Sequence, residues 1–164
     1  MRLDDRDIQI LSVLQTEGRI TKTELAARVN LSPTPCWERL KKLEDAGVIE
    51  GYGAHVSHAM LGPVSIIFME AEINSHQAAD FARFEEALEG IPEVVECWAV
   101  GGGIDYMIKF MCRDVDAYQK VVDDMLHSEI GLKRYYTYVV TKPVKNTPSP
   151  PLAVLSKNGL SSEG

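Results

Sequence analysis

The sequence lacks the features that mark exported and membrane-spanning proteins. None of its apolar runs approaches the roughly 18 residues that a membrane-spanning helix needs. Its first residues, MRLDDRDIQIL, place acids where a secretory signal needs a cationic start followed by an apolar stretch. Only three cysteines are present, Cys36, Cys97 and Cys112, and their odd number and wide spacing argue against a disulfide framework. We therefore expect a protein of the reducing cytoplasm that is not attached to a membrane.

The sequence also has few basic residues overall, but their distribution is uneven. The 164 residues carry a formal net charge of -7, which by itself argues against a polyanionic partner. Between residues 19 and 42, however, there are six basic residues and two acidic ones, a local charge of +4. Residues 51–164 contain nine basic and fifteen acidic residues, a charge of -6. Because polyanion binding depends on the local patch, the basic window is compatible with a nucleic-acid partner.

Three short helices are predicted near the beginning of the chain. The first covers DDRDIQILSVLQTEG, where apolar residues recur at helical spacing, and the second is TKTELAARV. After the tight turn NLS, the third helix begins at Ser32 and Pro33, which suit a helix start, and ends at Gly47. The next stretch, VIEGYGAHV, predicts a short hairpin or wing. We therefore expect a winged helix-turn-helix domain in residues 1–53 and a linker strand in residues 54–63.

Residues 64–142 predict a different domain. The order strand, helix, strand, strand, helix, strand is typical of a ferredoxin-like antiparallel sheet with helices on one face. In VSIIFMEAEI, for example, apolar residues alternate with Glu70 and Glu72. The predicted fold class is therefore α+β, with an N-terminal winged helix-turn-helix followed by a ferredoxin-like βαββαβ domain. Residues 143–164 are rich in Pro, Ser, Gly and Asn and predict a disordered tail.

The basic window and the third helix together suggest a surface that binds double-stranded DNA. In a helix-turn-helix, the start of the last helix reaches base edges while neighbouring groups hold phosphates. Arg39 can pair with guanine or clamp a phosphate, and Trp37 can either pack against the wing or touch a sugar. The alternative, a solvated surface without a partner, leaves the agreement of spacing, turn and charge unexplained. The candidate DNA-binding residues are Ser32, Thr34, Trp37, Glu38, Arg39, Lys41 and Lys42.

A second candidate site lies at the glycine-rich stretch VGGGIDYMIKF. Glycines allow a ligand to approach main-chain amides, which can hold a carboxylate, and Asp105 can accept an ammonium group. An amino acid carries both groups. The alternative is a plain hairpin turn between two strands, and the local sequence by itself favours that interpretation. Metal and catalytic sites have no support, because His55 and His58 lack an obvious third ligand and no nucleophile set is apparent, so we expect no cofactor.

These stretches resemble the Lrp/AsnC family, the leucine-responsive or feast/famine transcriptional regulators. The resemblance covers about residues 3–142 and rests mainly on LDDRDIQILSVLQTEGRITKTELAARVNLSPTPCWERLKKLEDAGVIEGYGA. Its second part is the G-x-x-D-Y motif that runs from Gly102 to Tyr106. Two positions depart from the family pattern: Tyr135, where many members carry a small or hydroxyl residue, and Gly103, where they often carry a charged or polar one.

The resemblance implies a DNA-binding domain joined by a strand to a ligand-sensing domain. Family members dimerise through the second domain and assemble further into tetramers or octamers, so a homodimer that binds a pseudo-palindromic operator is expected. Their effectors are usually amino acids, bound between sensing domains near the glycine-containing loop. The implied effector-binding residues are Gly101, Gly102, Gly103, Asp105, Tyr106 and Thr137.

Two other functions fit the sequence less well. Siroheme decarboxylases share the two-domain architecture but are enzymes, and they would need basic and histidine residues around a tetrapyrrole-sized cavity, whereas the second half of this chain is acidic. A purely structural assembly module does not explain the basic window. The sequence therefore predicts a sequence-specific DNA-binding transcriptional regulator, not an enzyme, whose assembly or DNA binding responds to a small amino-acid effector.

Overall fold

The computed structural model describes residues 2–147 and 149–155, which belong to two compact units. The N-terminal unit contains the residues up to His55 together with the segment from Lys145 onward. The second unit, Val56–Val144, is called the sensing unit below. The chain therefore leaves the N-terminal unit once and returns to it after the sensing unit. In the described part of the chain, no helix is long and apolar enough to cross a membrane.

The N-terminal unit is built on the three predicted helices, α1 (Asp5–Thr16), α2 (Lys22–Arg28) and α3 (Pro33–Asp45). Capping boxes start the first two: Asp4 pairs with Asp7, and Thr21 pairs with Glu24. Since each helix buries one apolar stripe, the three close a common core. Its buried members are Ile10, Leu11, Leu25, Ala26, Val29, Cys36, Leu40 and Leu43.

The turn between α2 and α3 contains Asn30, which adopts a φ of 53°. Asparagine tolerates this left-handed conformation better than most residues, so the chain can reverse in the short NLS stretch. The Leu31 amide then donates to the Ala26 carbonyl at 2.9 Å and closes the turn. At the other end of α3, Gly47 has a φ of 67° and stops the helix as predicted.

The segment after α3 differs from the sequence prediction. Residues 50–57 contain neither the predicted hairpin nor a linker strand, and a short 3₁₀ turn covers His58–Met60. Tyr52 and Val56 are exposed, and the sheet of the described residues contains no strand from this segment. A strand without a partner leaves its backbone groups to water, so the alternating pattern alone does not produce one here.

The sensing unit contains β1 (Ser65–Ile73), α4 (Ala78–Glu89), β2 (Val94–Ala99), β3 (Tyr106–Cys112), α5 (Val115–His127) and β4 (Leu132–Val139). The strands form one antiparallel sheet in the order β2-β3-β1-β4. This order is the predicted ferredoxin-like arrangement, and the predicted α+β class is confirmed.

Only one face of the sheet is covered by helices. Along β1, Ile67, Met69, Ala71 and Ile73 are buried while the residues between them are partly exposed. The buried side of the sheet packs against α4 and α5, through residues such as Phe84 and Val122. The other side, which packs against neither α4 nor α5, is called the open face below. Its apolar members are Ile66, Phe68, Trp98, Met107, Met111, Tyr136 and Tyr138.

Part of the predicted disordered tail is ordered. A one-turn helix, α6 (Leu152–Leu155), lies in the N-terminal unit, and Leu152 packs against that unit's core. The side-chain amide of Gln15 in α1 donates to the Pro150 carbonyl at 3.2 Å. Polar composition predicted disorder here, but one apolar contact and one hydrogen bond hold the segment on α1. The remainder of the predicted tail, residues 156–164, lies outside the described residues.

Candidate nucleic-acid interface and effector site

The solvent side of α3 carries most of the predicted DNA-binding residues. Cys36, Leu40 and Leu43 point into the core, which leaves the opposite side of the helix in water. The Ser32 hydroxyl at the start of the helix makes no capping hydrogen bond, so it is free to meet a ligand. The exposed predicted residues on this side are Ser32, Thr34, Trp37, Glu38, Lys41 and Lys42.

Trp37 is held by α2 and not by a wing. The Lys22 ammonium lies over the indole ring, 3.1 Å from the ring centroid, and the residue remains 37% exposed. Such cation–π contacts add modestly to stability at exposed sites. Lys22 therefore fixes the edge of α3 against α2, and sequence reasoning had counted it only as one of the basic residues in the window.

Arg39, which the sequence predicts to pair with guanine or to clamp a phosphate, forms ion pairs with two acids of the N-terminal unit. Its Nη1 atom donates to Asp4 Oδ2 at 2.7 Å and to Asp7 Oδ1 at 2.8 Å. Hydrogen bonds to Asp4 and then to Asp7 raise the pKa of the guanidinium. Nη1 is therefore bound to two carboxylates, whereas Nε and Nη2 make no hydrogen bond in the described residues. The contact of Arg39 with guanine or phosphate stays a prediction, and the structure adds an ion pair within the N-terminal unit.

A groove of about 450 Å³ runs beside this ion pair. It is lined by Arg2, Asp7, Pro35, Glu38, Arg39 and Lys42. Three of the lining side chains are basic and two are acidic, so the groove has a small positive balance. Arg2 was missed as a candidate because it precedes the basic window, and only the fold brings it next to α3.

The glycine-rich loop of the sensing unit connects β2 to β3. The Val100 amide donates to the Asp105 carbonyl at 2.9 Å, and the Asp105 amide donates to the Ala71 carbonyl at 3.0 Å, which closes the base of the loop. Gly102 has a φ of 144°, a conformation that favours glycine. Within the described chain, the amides of the three glycines donate no hydrogen bond, and all three residues are exposed. The loop is therefore both a hairpin connection and a set of accessible donors.

Asp105 is more firmly held than a simple turn residue. Its Oδ2 atom accepts from the Ile73 amide at 2.9 Å, and its Oδ1 atom lies 3.0 Å from His76 Nε2. The Asp105 side chain is 17% exposed, whereas the His76 side chain is 70% exposed. The sequence does not predict this contact, because the two residues are 29 positions apart. A carboxylate can accept further hydrogen bonds, so Asp105 remains able to meet a donor.

The other two predicted effector residues are not joined to the loop by hydrogen bonds. Tyr106 is buried on the helix side of the sheet, and its hydroxyl donates to Glu85 at 2.7 Å. Burial and this hydrogen bond raise the pKa of the Tyr106 hydroxyl. Thr137 in β4 pairs with the Tyr118 hydroxyl at 2.7 Å. Ligand contacts of Tyr106 and Thr137 stay a prediction, and the Tyr106 side chain packs on the helix side of the sheet.

The two units match two protein-family models, which define the class of the protein. Residues 3–50 match a winged helix-turn-helix DNA-binding model, and residues 66–150 match the Lrp/AsnC ligand binding domain. The chain therefore combines a DNA-binding domain with a ligand-binding domain. It belongs to the Lrp/AsnC family of transcriptional regulators.

Individual relatives support this assignment over nearly the whole chain. The chain is 50% identical over 145 residues to the transcriptional regulatory protein DoeX of Halomonas elongata, across 88% of this chain and 92% of that protein. It is 39% identical over 145 residues to the leucine-responsive regulatory protein of Escherichia coli, across 88% of each chain. Since these relatives are regulators, the chain is a DNA-binding transcriptional regulator, and the alternative of a decarboxylase is not supported.

Solved structures agree with the fold. A transcriptional regulator from Neisseria meningitidis, determined in complex with L-Met, is 38% identical with a TM-score of 0.86, across 93% of this chain and 99% of that chain. AsnC of Escherichia coli is 29% identical with a TM-score of 0.81, across 89% of this chain and 97% of that chain. The winged helix-turn-helix followed by a sensing domain is therefore confirmed as the architecture.

Proposed function

We propose that this regulator binds a pseudo-palindromic operator as a homodimer or a larger assembly and that a small amino acid, bound at the glycine-rich loop, modulates it. The observation that best supports DNA binding is the exposed side of α3. Hydroxyl side chains at the start of the helix are followed there by two lysines, and the opposite side of the helix is buried. Small polar groups at the helix start allow close approach to base edges, and cations behind them meet phosphates.

The open face of the sheet supports the proposal of a homodimer. It presents several large apolar side chains, among them Phe68 and Trp98, which a monomer would leave in water. Two ion pairs lie on the same face, Glu96 with Lys109 at 2.7 Å and Glu72 with Arg134, and Glu70 accepts a hydrogen bond from the Tyr138 hydroxyl at 3.2 Å. Burial of the apolar side chains against a second copy favours association, and the two ion pairs and the Tyr138–Glu70 hydrogen bond give the acids of the face polar partners.

An operator with two-fold symmetry follows from such a dimer. Two copies of α3 related by a two-fold axis require half-sites about one helical turn apart, roughly 34 Å, or a multiple of that distance. Duplexes selected by the full-length protein from a random pool should contain two inverted half-sites at this spacing. Lys41→Ala should weaken binding and lower the slope of log affinity against log salt by about one, because a phosphate contact is lost. Recovery of unrelated sequences, or of single half-sites only, would contradict the proposed operator.

The loop supports an amino acid as the effector class. Exposed amides of Gly101–Gly103 suit a carboxylate, and the Asp105 carboxylate suits an ammonium group, so together they match the two ends of a zwitterion. The Neisseria meningitidis relative was solved with L-Met, which is consistent with a ligand of this class. His76 stands beside Asp105 and would lie at the ammonium end of the ligand.

Calorimetry with each of the twenty amino acids tests the effector proposal. At least one should bind the wild-type protein, and Asp105→Asn should weaken it by roughly 1.5–3 kcal/mol, because a charge-assisted contact becomes a neutral one. Asparagine keeps an oxygen for the Ile73 amide, so the loop should be preserved. Asp116→Asn, an exposed acid of α5, is the matched control and should bind as the wild type does. If no amino acid binds, or if both variants behave alike, the glycine loop is only a turn.

A further inference from the structure

We propose that Arg39 is a positioning residue of the DNA-binding surface: it fixes α3 against the start of α1 and contacts no base. The proposal rests on the DNA-binding function of the helix-turn-helix. It concerns how α3 is oriented, which neither the family assignment nor the list of exposed residues determines.

Asp4 and Asp7 cap α1 reciprocally, and both also accept a hydrogen bond from Arg39. Asp4 Oδ1 accepts from the Asp7 amide at 2.9 Å, and Asp7 Oδ2 accepts from the Asp4 amide at 3.0 Å. Each carboxylate therefore uses one oxygen to cap α1. The remaining oxygen of each accepts from Arg39 Nη1, at 2.7 Å and 2.8 Å. One nitrogen atom of α3 is thus bound to both acids that start α1.

Burial makes this link hard to replace. Asp7 is 5% exposed and is the one buried charged residue among the described residues. A buried carboxylate is costly unless a cation and hydrogen bonds satisfy it. Arg39 is the cation that contacts Asp7, and the planar guanidinium reaches two acceptors at once. The position of Arg39 halfway along α3 therefore determines how the whole helix lies on α1.

Arg39 Nε and Nη2 make no hydrogen bond in the described residues, so a phosphate contact is the competing explanation. The two roles predict opposite effects when an acid is removed. If electrostatics alone governs binding, Asp4→Asn and Asp7→Asn remove negative charge near DNA and should tighten binding. If Arg39 acts through position, both substitutions release α3 and should weaken binding.

The test is a set of salt titrations on the full-length protein with a duplex selected from a random pool by the wild type. We expect Arg39→Met and Asp7→Asn each to weaken binding by about tenfold, and the double variant to bind no worse than either single one, because both remove the same link. The slope of log affinity against log salt should stay within about half a unit of the wild type, since no phosphate contact is lost. Asp5→Asn makes the same charge change on an exposed neighbour without contact to Arg39 and is the matched control.

Stability is measured on every variant so that loss of folding is not mistaken for loss of binding. Circular dichroism at the assay temperature should show folded protein. Should Asp7→Asn or Arg39→Met unfold, Asp4→Asn decides the question, because asparagine preserves the cap and Asp4 is largely exposed. Weaker binding of folded Asp4→Asn supports the proposal, and equal or tighter binding overturns it.

Two further results would also overturn the positioning role. One is a fall of about one in the salt slope for Arg39→Met while Asp7→Asn binds as tightly as the wild type, which would make Arg39 a phosphate contact. The other is relaxed preference at a single base pair, which would make it a base reader. A loss of affinity in Lys41→Ala, together with a weaker dependence of log affinity on log salt, would show independently that α3 binds DNA.

Discussion

Asp4 illustrates what a single residue contributes at the start of α1. Asp4 and Asp5 both stand at the start of the first helix, where short polar side chains can accept backbone amides. The structure selects Asp4, whose side chain accepts from the Asp7 amide. The ion pair with Arg39 could not be predicted, because 35 positions separate the two residues and only the folded core brings them together.

The pKa of Asp4 leads to a prediction about pH. The hydrogen bond from the Asp7 amide, and then the contact with Arg39, lower the pKa of Asp4 below its ordinary value of 3.8. The charged form is therefore favoured in the folded state, and its contribution is present above pH 3.8 and lost as the pH falls through the lower, folded value. Urea unfolding should show wild type more stable than Asp4→Asn near pH 6, with the difference shrinking toward pH 2. A difference that does not change with pH would contradict this assignment.

At the scale of elements, periodic segments were predictable and short or unpaired ones were not. The helices α1 to α5 and the four strands follow from the spacing of apolar residues and from turn residues such as Gly47. No strand forms in residues 50–57, where the sequence predicted a hairpin and a linker strand, because strand formation needs a partner that the local pattern does not provide. At the candidate sites, exposed residues of α3 followed from its buried stripe, whereas the partners of Arg39 and Asp105 depended on the fold.

The contact of α6 with α1 gives a prediction at the scale of a single element. Leu152 is partly buried, whereas Val154 of the same helix is 78% exposed. Leu152→Asp should lower the free energy of unfolding of the N-terminal unit by about 1 kcal/mol, from loss of a half-buried side chain. Val154→Asp should change it by less than about 0.5 kcal/mol. Hydrogen exchange of the α1 amides measures both, and equal protection in the two variants would show that Leu152 does not hold the segment.

For the whole molecule, the open face of the sheet is the feature on which assembly depends. Phe68 in β1 lies opposite Tyr138 in β4 on this face. Phe68→Glu would place a charge among apolar side chains, and burying it against a second copy would be costly. Sedimentation of the full-length protein at micromolar concentration should show a smaller species than the wild type forms. Val115→Glu, at an exposed helix position, should leave the assembly unchanged. Identical sedimentation of all three proteins would place the interface elsewhere.

The chain has two tryptophans, one on the surface proposed to bind DNA and one on the surface proposed to form the dimer. Trp37 belongs to α3 beneath the Lys22 ammonium, and Trp98 lies on the open face of the sheet. Indole fluorescence depends on solvent and on nearby charge. The chain therefore has one intrinsic fluorescent probe for DNA binding and one for subunit association. With Trp98→Phe, fluorescence reports changes at the DNA-binding helix, and with Trp37→Phe it reports subunit association. Stopped-flow mixing of each variant with an amino acid would then show whether the signal appears first at the sheet or at the helix that meets DNA.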